Sequence, residues 1–298
     1  MKLQLDPGYR VGVVGQSAAL DYAAWLLRNL GVAVDAVEPV ALERLPADVP
    51  LLAAGAILDD AAASTCPLLV RVWDFQVGLP GSGIQACAVS GVSWVIGLPG
   101  RPPLYLPAQI PEKWAGTLAA SMVMTRFVEQ LTLPGRTPPA RVIDVAAAEI
   151  LRGFADQNFG NHKQIPTSWR RNGRVSPEHG GIFPQGFFPC KDGYVGVIGR
   201  SRQDWTAMLA ALDNPEWSNA PGMRDPFALA RDSSQVEPLF RAELERHDRA
   251  DLLRRALAHG ATFAPVYEPH EVRGQQLVRD DYFDAAGLPG LPFELVGA

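Results

Sequence analysis

The sequence predicts an α/β protein, with a parallel-sheet domain leading and a smaller α+β domain following. Three observations lead there. Strand, helix and strand patterns succeed one another between Arg10 and Val37, and such a βαβ unit builds a parallel sheet with a right-handed crossover. A further apolar, β-branched run, Leu68–Trp73, suits another buried strand of that sheet. The chain has 298 residues, 47% hydrophobic and 20% charged. At about 150 residues per domain that length suits roughly two domains, and the composition excludes a disordered or fibrous chain.

Taken in order, Arg10-Val-Gly-Val-Val-Gly15 reads as a strand closed by glycine. Ala19, Tyr22, Ala23, Leu26, Leu27 and Leu30 recur at helical spacing, and Gly31 is placed to end that helix. Val32–Val37 reads as the second strand, closed by Glu38-Pro39. Leu51–Leu58 fits either a strand or a short helix. From Gly78 to Pro111 the composition turns to Gly, Pro and Ser, and a long helix is expected from about Glu112 to Leu131. Arg141–Val145 reads as a strand running into a helix, whereas Phe154–Pro189 has little periodicity and reads as a long irregular connection. Asp192-Gly193 predicts a hairpin turn into the strand Tyr194–Ile198. Helices follow at Trp205–Leu212, Val236–Glu245 and after the N-cap Asp248, ending at His259-Gly260; Phe263–Tyr267 is extended. The expected division is 1–153 for the first domain, 154–179 for a linker, 180–285 for the second domain and 286–298 for a tail.

With 28 Gly and 26 Pro, many tight turns are expected. The net charge of −5 disfavours nucleic acid and anionic membrane surfaces as partners, so a phosphate-bearing ligand needs local cations or helix N-termini. Cys66, Cys87 and Cys190 lie far apart with no CxxC pair, which supports neither a disulfide framework nor a zinc ribbon and fits a reducing compartment. No apolar stretch follows Met1-Lys2, and the longest apolar run, Leu51–Leu58, is too short for a bilayer, so a cytoplasmic location is expected.

Several residues are candidates for chemistry. Ligands of open parallel sheets sit beyond the strand C-termini, which selects Gln16, Ser17, Glu38, Trp73 and Asp74. A dinucleotide motif is incomplete there: Gly12 and Gly15 lack the G-x-G-x-x-G spacing, and Gly12 serves equally as a close-packing residue. Ser82 is not in a G-x-S-x-G elbow. The five histidines, at 162, 179, 247, 259 and 270, form no metal-ligand pair, so no metal is expected. His259 is explained as a cation at a helix C-terminus. Arg170-Arg171-Asn-Gly-Arg174 is a basic cluster, either solvated surface or a phosphate grip. Glu112 follows Pro111 at the start of the long helix. It reads either as a first-turn carboxylate favoured by the helix dipole, or as a nucleophile able to form an anhydride and then a thioester.

The second half of the chain resembles a known family. Pro184-x-Gly186-x-x-Pro189-Cys-Lys-Asp-Gly-Tyr-Val195, Trp205 with Leu209 and Leu212, Arg231, Ala264-Pro-Val266 and Arg279 with Tyr282-Phe283 are similar to the class III CoA-transferases. That family includes formyl-CoA transferase, carnitine CoA-transferase and α-methylacyl-CoA racemase. Ser90-Gly91, Gly97-x-Pro99, Pro102-Pro103, Ala115-Gly116, Ala119-Ala120 and Val142-x-Asp144-Val145 through Glu149 resemble its middle, and Arg10 to Pro39 its opening unit. The resemblance implies a Rossmann-like domain that binds CoA, a small second domain, and homodimers whose chains interlock. It implies CoA as a substrate, a small-molecule acyl-CoA and a carboxylate as partners, and no resident cofactor. Family transferases carry a nucleophilic Asp four residues before the glycine matching Gly116, which places Glu112 in that role. A glycine-rich loop that stabilises the oxyanion corresponds to Gly180-Gly181. The chain departs from the family at Ala18, where a Gln is expected, at Leu20-Asp21, and between Pro39 and Pro67, where an Asn-Arg-Gly-Lys segment is missing. Ser82, Glu112 and Gly199 stand where the racemases need His, Asp and Glu, which argues against racemisation. The implied activity is CoA transfer from acyl-CoA to a carboxylate. The alternative is a divergent homologue that has lost transfer and serves as a partner subunit or acts on a non-CoA substrate.

Overall fold

A computed structural model of the chain describes residues 8–61, 66–133, 139–161, 171, 173–175, 181–275, 278–279 and 282–290, without the side chains of 155–161. The chain divides into two compact units: Met1–Gly97 with Pro103–Gly160 and Asp281–Ala298, and Leu98–Pro102 with Asn161–Asp280.

The first unit is a parallel sheet. Strand β1 (Arg10–Val14) leads through helix α1 (Ala18–Asn29) to β2 (Ala33–Ala36). Then come β3 (Leu51–Ala54), β4 (Leu68–Trp73), helices α2 (Gly83–Val89), α3 (Val92–Val95) and α4 (Ile110–Thr132), strand β5 (Arg141–Ala146) and helix α5 (Ala147–Asn161). The strands pair in the order β2-β1-β3-β4-β5, all parallel. Side chains alternate across this sheet as the two-residue period demands. Val11, Leu52, Leu68, Val70 and Val72 join the core beneath α1 and α4, while Val14, Leu51, Ala53 and Leu69 point the other way. Both faces are buried, which is why these strands read as continuous apolar runs.

Leu51–Leu58 contains both of its alternatives: β3 ends at Ala54 and a 3-10 turn follows at Gly55–Ile57. Between β2 and β3 the chain crosses with only a 3-10 turn, Pro39–Arg44, whose Leu42 lies on the second face of the sheet. Glycine sets the packing between α1 and α4. A Cβ on Gly116 would collide with the Ala19 carbonyl oxygen and lie 3.1 Å from the Ala23 nitrogen, so the two backbones touch there. The Gly78–Pro111 stretch holds α2 and α3, which its Gly, Pro and Ser content conceals.

The second unit holds β6 (Gln185–Cys190), β7 (Gly193–Ile198), α6 (Arg202–Ala211), α7 (Pro226–Leu229), α8 (Val236–Leu244), α9 (Arg249–His259) and β8 (Phe263–Pro265). Its sheet is antiparallel in the order β6-β7-β8. The irregular connection expected from Phe154 to Pro189 is corrected at both ends. Helix α5 continues to Asn161, and Gln185–Cys190 is a strand. Pro189 is tolerated because β6 is an edge strand. Trp205 fills the core against Phe183 and Phe240, and its indole N–H donates to the Met223 carbonyl at 2.9 Å. Arg249 donates to both oxygens of Glu271 at 2.8 Å and holds that carboxyl down at a pKa of about 2, from 4.5.

Two outcomes check this packing. Gly116→Ala is expected to cost about 1–3 kcal/mol in denaturant unfolding, because neither backbone can retreat. An unchanged midpoint would mean that α1 and α4 do not touch at that point. A carboxyl whose folded pKa is lowered stabilises fully above its unfolded value, and this contribution is lost as pH falls from about 4.5 through about 2. Melting temperatures across that window should therefore fall more for the natural chain than for Glu271→Gln.

Candidate functional site

The order β2-β1-β3-β4-β5 reverses direction between β1 and β3, and open parallel sheets bind ligands outside the strand C-termini at such a switch point. A cleft of about 400 Å³ opens there, lined by Ser17 after β1, Gly55 after β3, Trp73 at the end of β4 and Asp74 just after it, and Leu79 and Pro80 beyond. The structure thus brings Ser17, Trp73 and Asp74 together. A second cleft of about 430 Å³ lies beside it, lined by Gln16, Ser17, Asp21, Tyr22, Gln109 and Lys113. Glu38 lines neither cleft and stands exposed at the end of β2. Gly181 belongs to the second unit, and Gly180 falls outside the described residues. Of the basic cluster, Arg170 also lies outside them, while Arg174 pairs with Glu237 at 3.0 Å.

Asp74 reaches the crevice as expected, but its oxygens are taken by the fold. Ala18 N–H donates to Oδ2 at 3.1 Å and Ala19 N–H to Oδ1 at 3.0 Å, so this carboxylate caps α1 from 55 residues away. Ser17 Oγ accepts from Leu20 N–H at 3.2 Å. Gly12 is part of β1, where Leu51 fills the room a side chain would need, so it takes no part in a phosphate loop.

The Trp73 indole N–H donates to Asp144 Oδ1 at 2.9 Å. Asp144 is the register partner of Arg71, which donates to it from Nε at 2.8 Å and from Nη2 at 2.7 Å and reaches Asp60 with its other nitrogen. These bonds from Arg71 hold the Asp144 carboxyl below its usual range. Sequence reasoning missed this pair as a unit, although a charged residue inside the apolar run Leu68–Trp73 was its signal.

Glu112 lies in the first turn of α4 and is only 5% exposed. Its Oε1 accepts from the Gly83 N–H, the first of α2, at 2.5 Å. Oε2 is buried without a hydrogen-bond partner. The carboxylate therefore sits where the N-termini of α2 and α4 meet, and both dipoles favour its negative charge. Any side chain on Gly83 would overlap this carboxylate. Ser82 and Gln85 brace the start of α2: the Ser82 N–H and hydroxyl both donate to Gln85 Oε1, at 2.8 and 3.0 Å. That Ser-x-x-Gln capping box was the readable sign of α2 and hence of Gly83. Ala108 and Gln109, just before α4, both take left-handed backbone angles, with φ of 54° and 57°. Non-glycine residues in that region mark strain that surrounding structure must hold, and it gathers at functional sites.

All three cysteines are buried, and burial pushes the Cys66 and Cys190 thiols up, away from the thiolate a nucleophile needs. Among the described residues no cluster of three His, Cys, Asp or Glu could hold a metal, and no helix is long and apolar enough to cross a membrane.

A family model described as CoA-transferase family III matches residues 76–287. The chain is 26% identical over 170 residues to the succinyl-CoA:(R)-benzylsuccinate CoA-transferase subunit BbsE of Thauera aromatica, covering 56% of this chain and 37% of that protein. It is 20% identical over 224 residues to the succinyl-CoA–D-citramalate CoA-transferase of Chloroflexus aurantiacus, covering 71% of this chain and 54% of that one. The chain thus spans 37% and 54% of the lengths of these curated relatives. Among solved structures it resembles a hypothetical protein (Rv3272) of Mycobacterium tuberculosis, with a TM-score of 0.77 at 14% identity over 99% of this chain and 94% of that one. A CAIB/BAIF family protein of Brucella suis gives a TM-score of 0.67 at 14% identity, over 98% and 92% of the two chains. At these identities the structural likeness is one of fold.

Asp74→Ala leaves two helix N–H groups of α1 without their acceptor and is expected to cost about 1–2 kcal/mol in urea unfolding. A loss below a few tenths would show that the cap is not formed.

Proposed function

The chain belongs to the CoA-transferase family III, and from that premise we propose that it moves CoA between an acyl-CoA and a carboxylic acid, with Glu112 as the nucleophile. The observation that carries this reading is the buried Glu112 oxygen without a partner. A buried charged acceptor left unpaired costs at least about 1–3 kcal/mol, and such groups in native structures call for an explanation, chemistry being one. Attack requires the side chain to turn away from Gly83, which gives up a single hydrogen bond.

The carboxylate oxygen then adds to the thioester carbonyl, the C–S bond breaks, and a mixed anhydride forms as CoA thiolate leaves. The thiolate attacks the glutamyl carbonyl of the anhydride, releasing the donor's carboxylate and leaving a glutamyl-CoA thioester. An acceptor carboxylate adds to that thioester and repeats both steps in reverse, so Glu112 emerges as a free carboxylate with no net gain or loss of protons. The cleft that holds Lys113, the next residue along α4, supplies the local cation that an anionic acceptor needs. Glutamate in place of the family's aspartate adds one methylene, and Gly83 leaves the room for it.

Two observations favour a second reading. Glu112 is shielded from substrate in this conformation, and one curated relative is named as a subunit. On that reading the chain has lost transfer and serves a partner.

With succinyl-CoA, the donor in both relatives' names, and a panel of small carboxylic acids, Glu112→Gln is expected to lose turnover by several orders of magnitude with no loss of melting temperature. Glu112→Asp should retain part of it. Full turnover in Glu112→Gln would sink the nucleophile assignment; no turnover in the natural chain alone, restored by a partner chain, would favour the second reading.

A further inference from the structure

We propose that Asp74 is a specificity-determining residue that makes the switch-point cleft refuse phosphate and take an uncharged, flat group laid beside Trp73. The first N–H groups of a helix that follows a parallel strand are the ready-made seat for a phosphate. In this chain every one of them at α1 is occupied. Ala18 and Ala19 donate to Asp74, Leu20 donates to Ser17 Oγ, and Asp21 N–H already donates to the Ser17 carbonyl at 2.9 Å. A phosphate entering there would find the first four N–H groups of α1 taken and would face a carboxylate.

Among the described residues that line the cleft, none offsets that repulsion. Its lining residues include no Lys or Arg, and Asp74 is their one charged member. What the cleft offers instead is small and apolar surface, from Ala54, Gly55, Ala56, Leu79 and Pro80, around one aromatic ring. That ring is held in place. The Trp73 N–H is fixed by Asp144, and Asp144 by two bonds from Arg71. A platform that cannot rotate loses little freedom when a planar ligand stacks on it. The volume, about 400 Å³, suits a small ring and not an extended nucleotide. This inference does not depend on Glu112 or on CoA transfer; on the transferase reading it places the nucleotide phosphates outside this cleft.

The test is a titration of the full chain followed by the Trp73 indole N–H signal in ¹H–¹⁵N spectra, assigned by its loss in Trp73→Phe. Benzamide serves as the uncharged flat probe and inorganic pyrophosphate as the anion. Benzamide at millimolar concentration is expected to shift the signal progressively, while pyrophosphate leaves it unmoved. In Asp74→Asn, where the charge is gone, pyrophosphate is expected to begin shifting it; Asp74→Ser carries the same test if that variant does not fold. A purely structural Asp74 would lower the melting temperature without admitting pyrophosphate. The proposal is overturned if pyrophosphate moves Trp73 in the natural chain, if benzamide does not, or if pyrophosphate stays silent against the neutral variants.

Discussion

The contact on which the first unit depends is the meeting of two helix backbones at Gly116. Because that residue has no side chain, α4 lies directly on the Ala19–Ala23 stretch of α1, and the register between the two helices is set there. Glu112 is four positions earlier, one turn toward the N-terminus of α4, so the same contact determines where its carboxylate falls. It falls on Gly83, a second residue that must lack a side chain. Two glycines on different helices thus position one carboxylate, and neither would be exchangeable for alanine without moving it.

The unit uses helix N-termini for carboxylates twice, with opposite results. At α1 the Asp74 carboxylate is fully engaged, accepting from two consecutive N–H groups, and the helix end is closed. At the junction of α2 and α4 the Glu112 carboxylate accepts a single bond and keeps one oxygen bare in a buried place. The first arrangement is what stability alone would favour. The second leaves an acceptor unsatisfied, and the left-handed pair Ala108-Gln109 just upstream adds backbone strain of order 1–3 kcal/mol per residue. The fold thus tolerates both costs at one helix start while satisfying the other completely, and on the proposed reading the first of these is the reactive one.

What could be read from the sequence follows the range of the interactions. The β1-α1-β2 unit was legible because its signals are local: the apolar period and Gly31 after the helix. Helix α4 and the position of Glu112 in its first turn were legible for the same reason. Strand β6 was not, since Gly186 and Pro189 break its pattern and its edge position makes Pro189 acceptable. The role of Asp74 was hidden because its partners are 55 and 56 residues away, and the Arg71–Asp144 pair because 73 residues separate its members. Position after a strand was enough to select Ser17, Trp73 and Asp74 as neighbours, but Glu38, chosen by the same rule, ends on the outer strand β2 and away from both clefts. The family resemblance, by contrast, was spread over many short matches, and its order along the chain made it readable.

On the proposed reading the Glu112 carboxylate forms a covalent thioester with CoA. The direct measurement is the mass of the chain after incubation with succinyl-CoA in the absence of acceptor, taken under denaturing conditions, with the modified peptide located by fragmentation. The expected result is a CoA adduct that survives denaturation, maps to the peptide carrying Glu112 and disappears on adding hydroxylamine. An unmodified chain that nonetheless transfers CoA, or an adduct mapping to another residue, would contradict it.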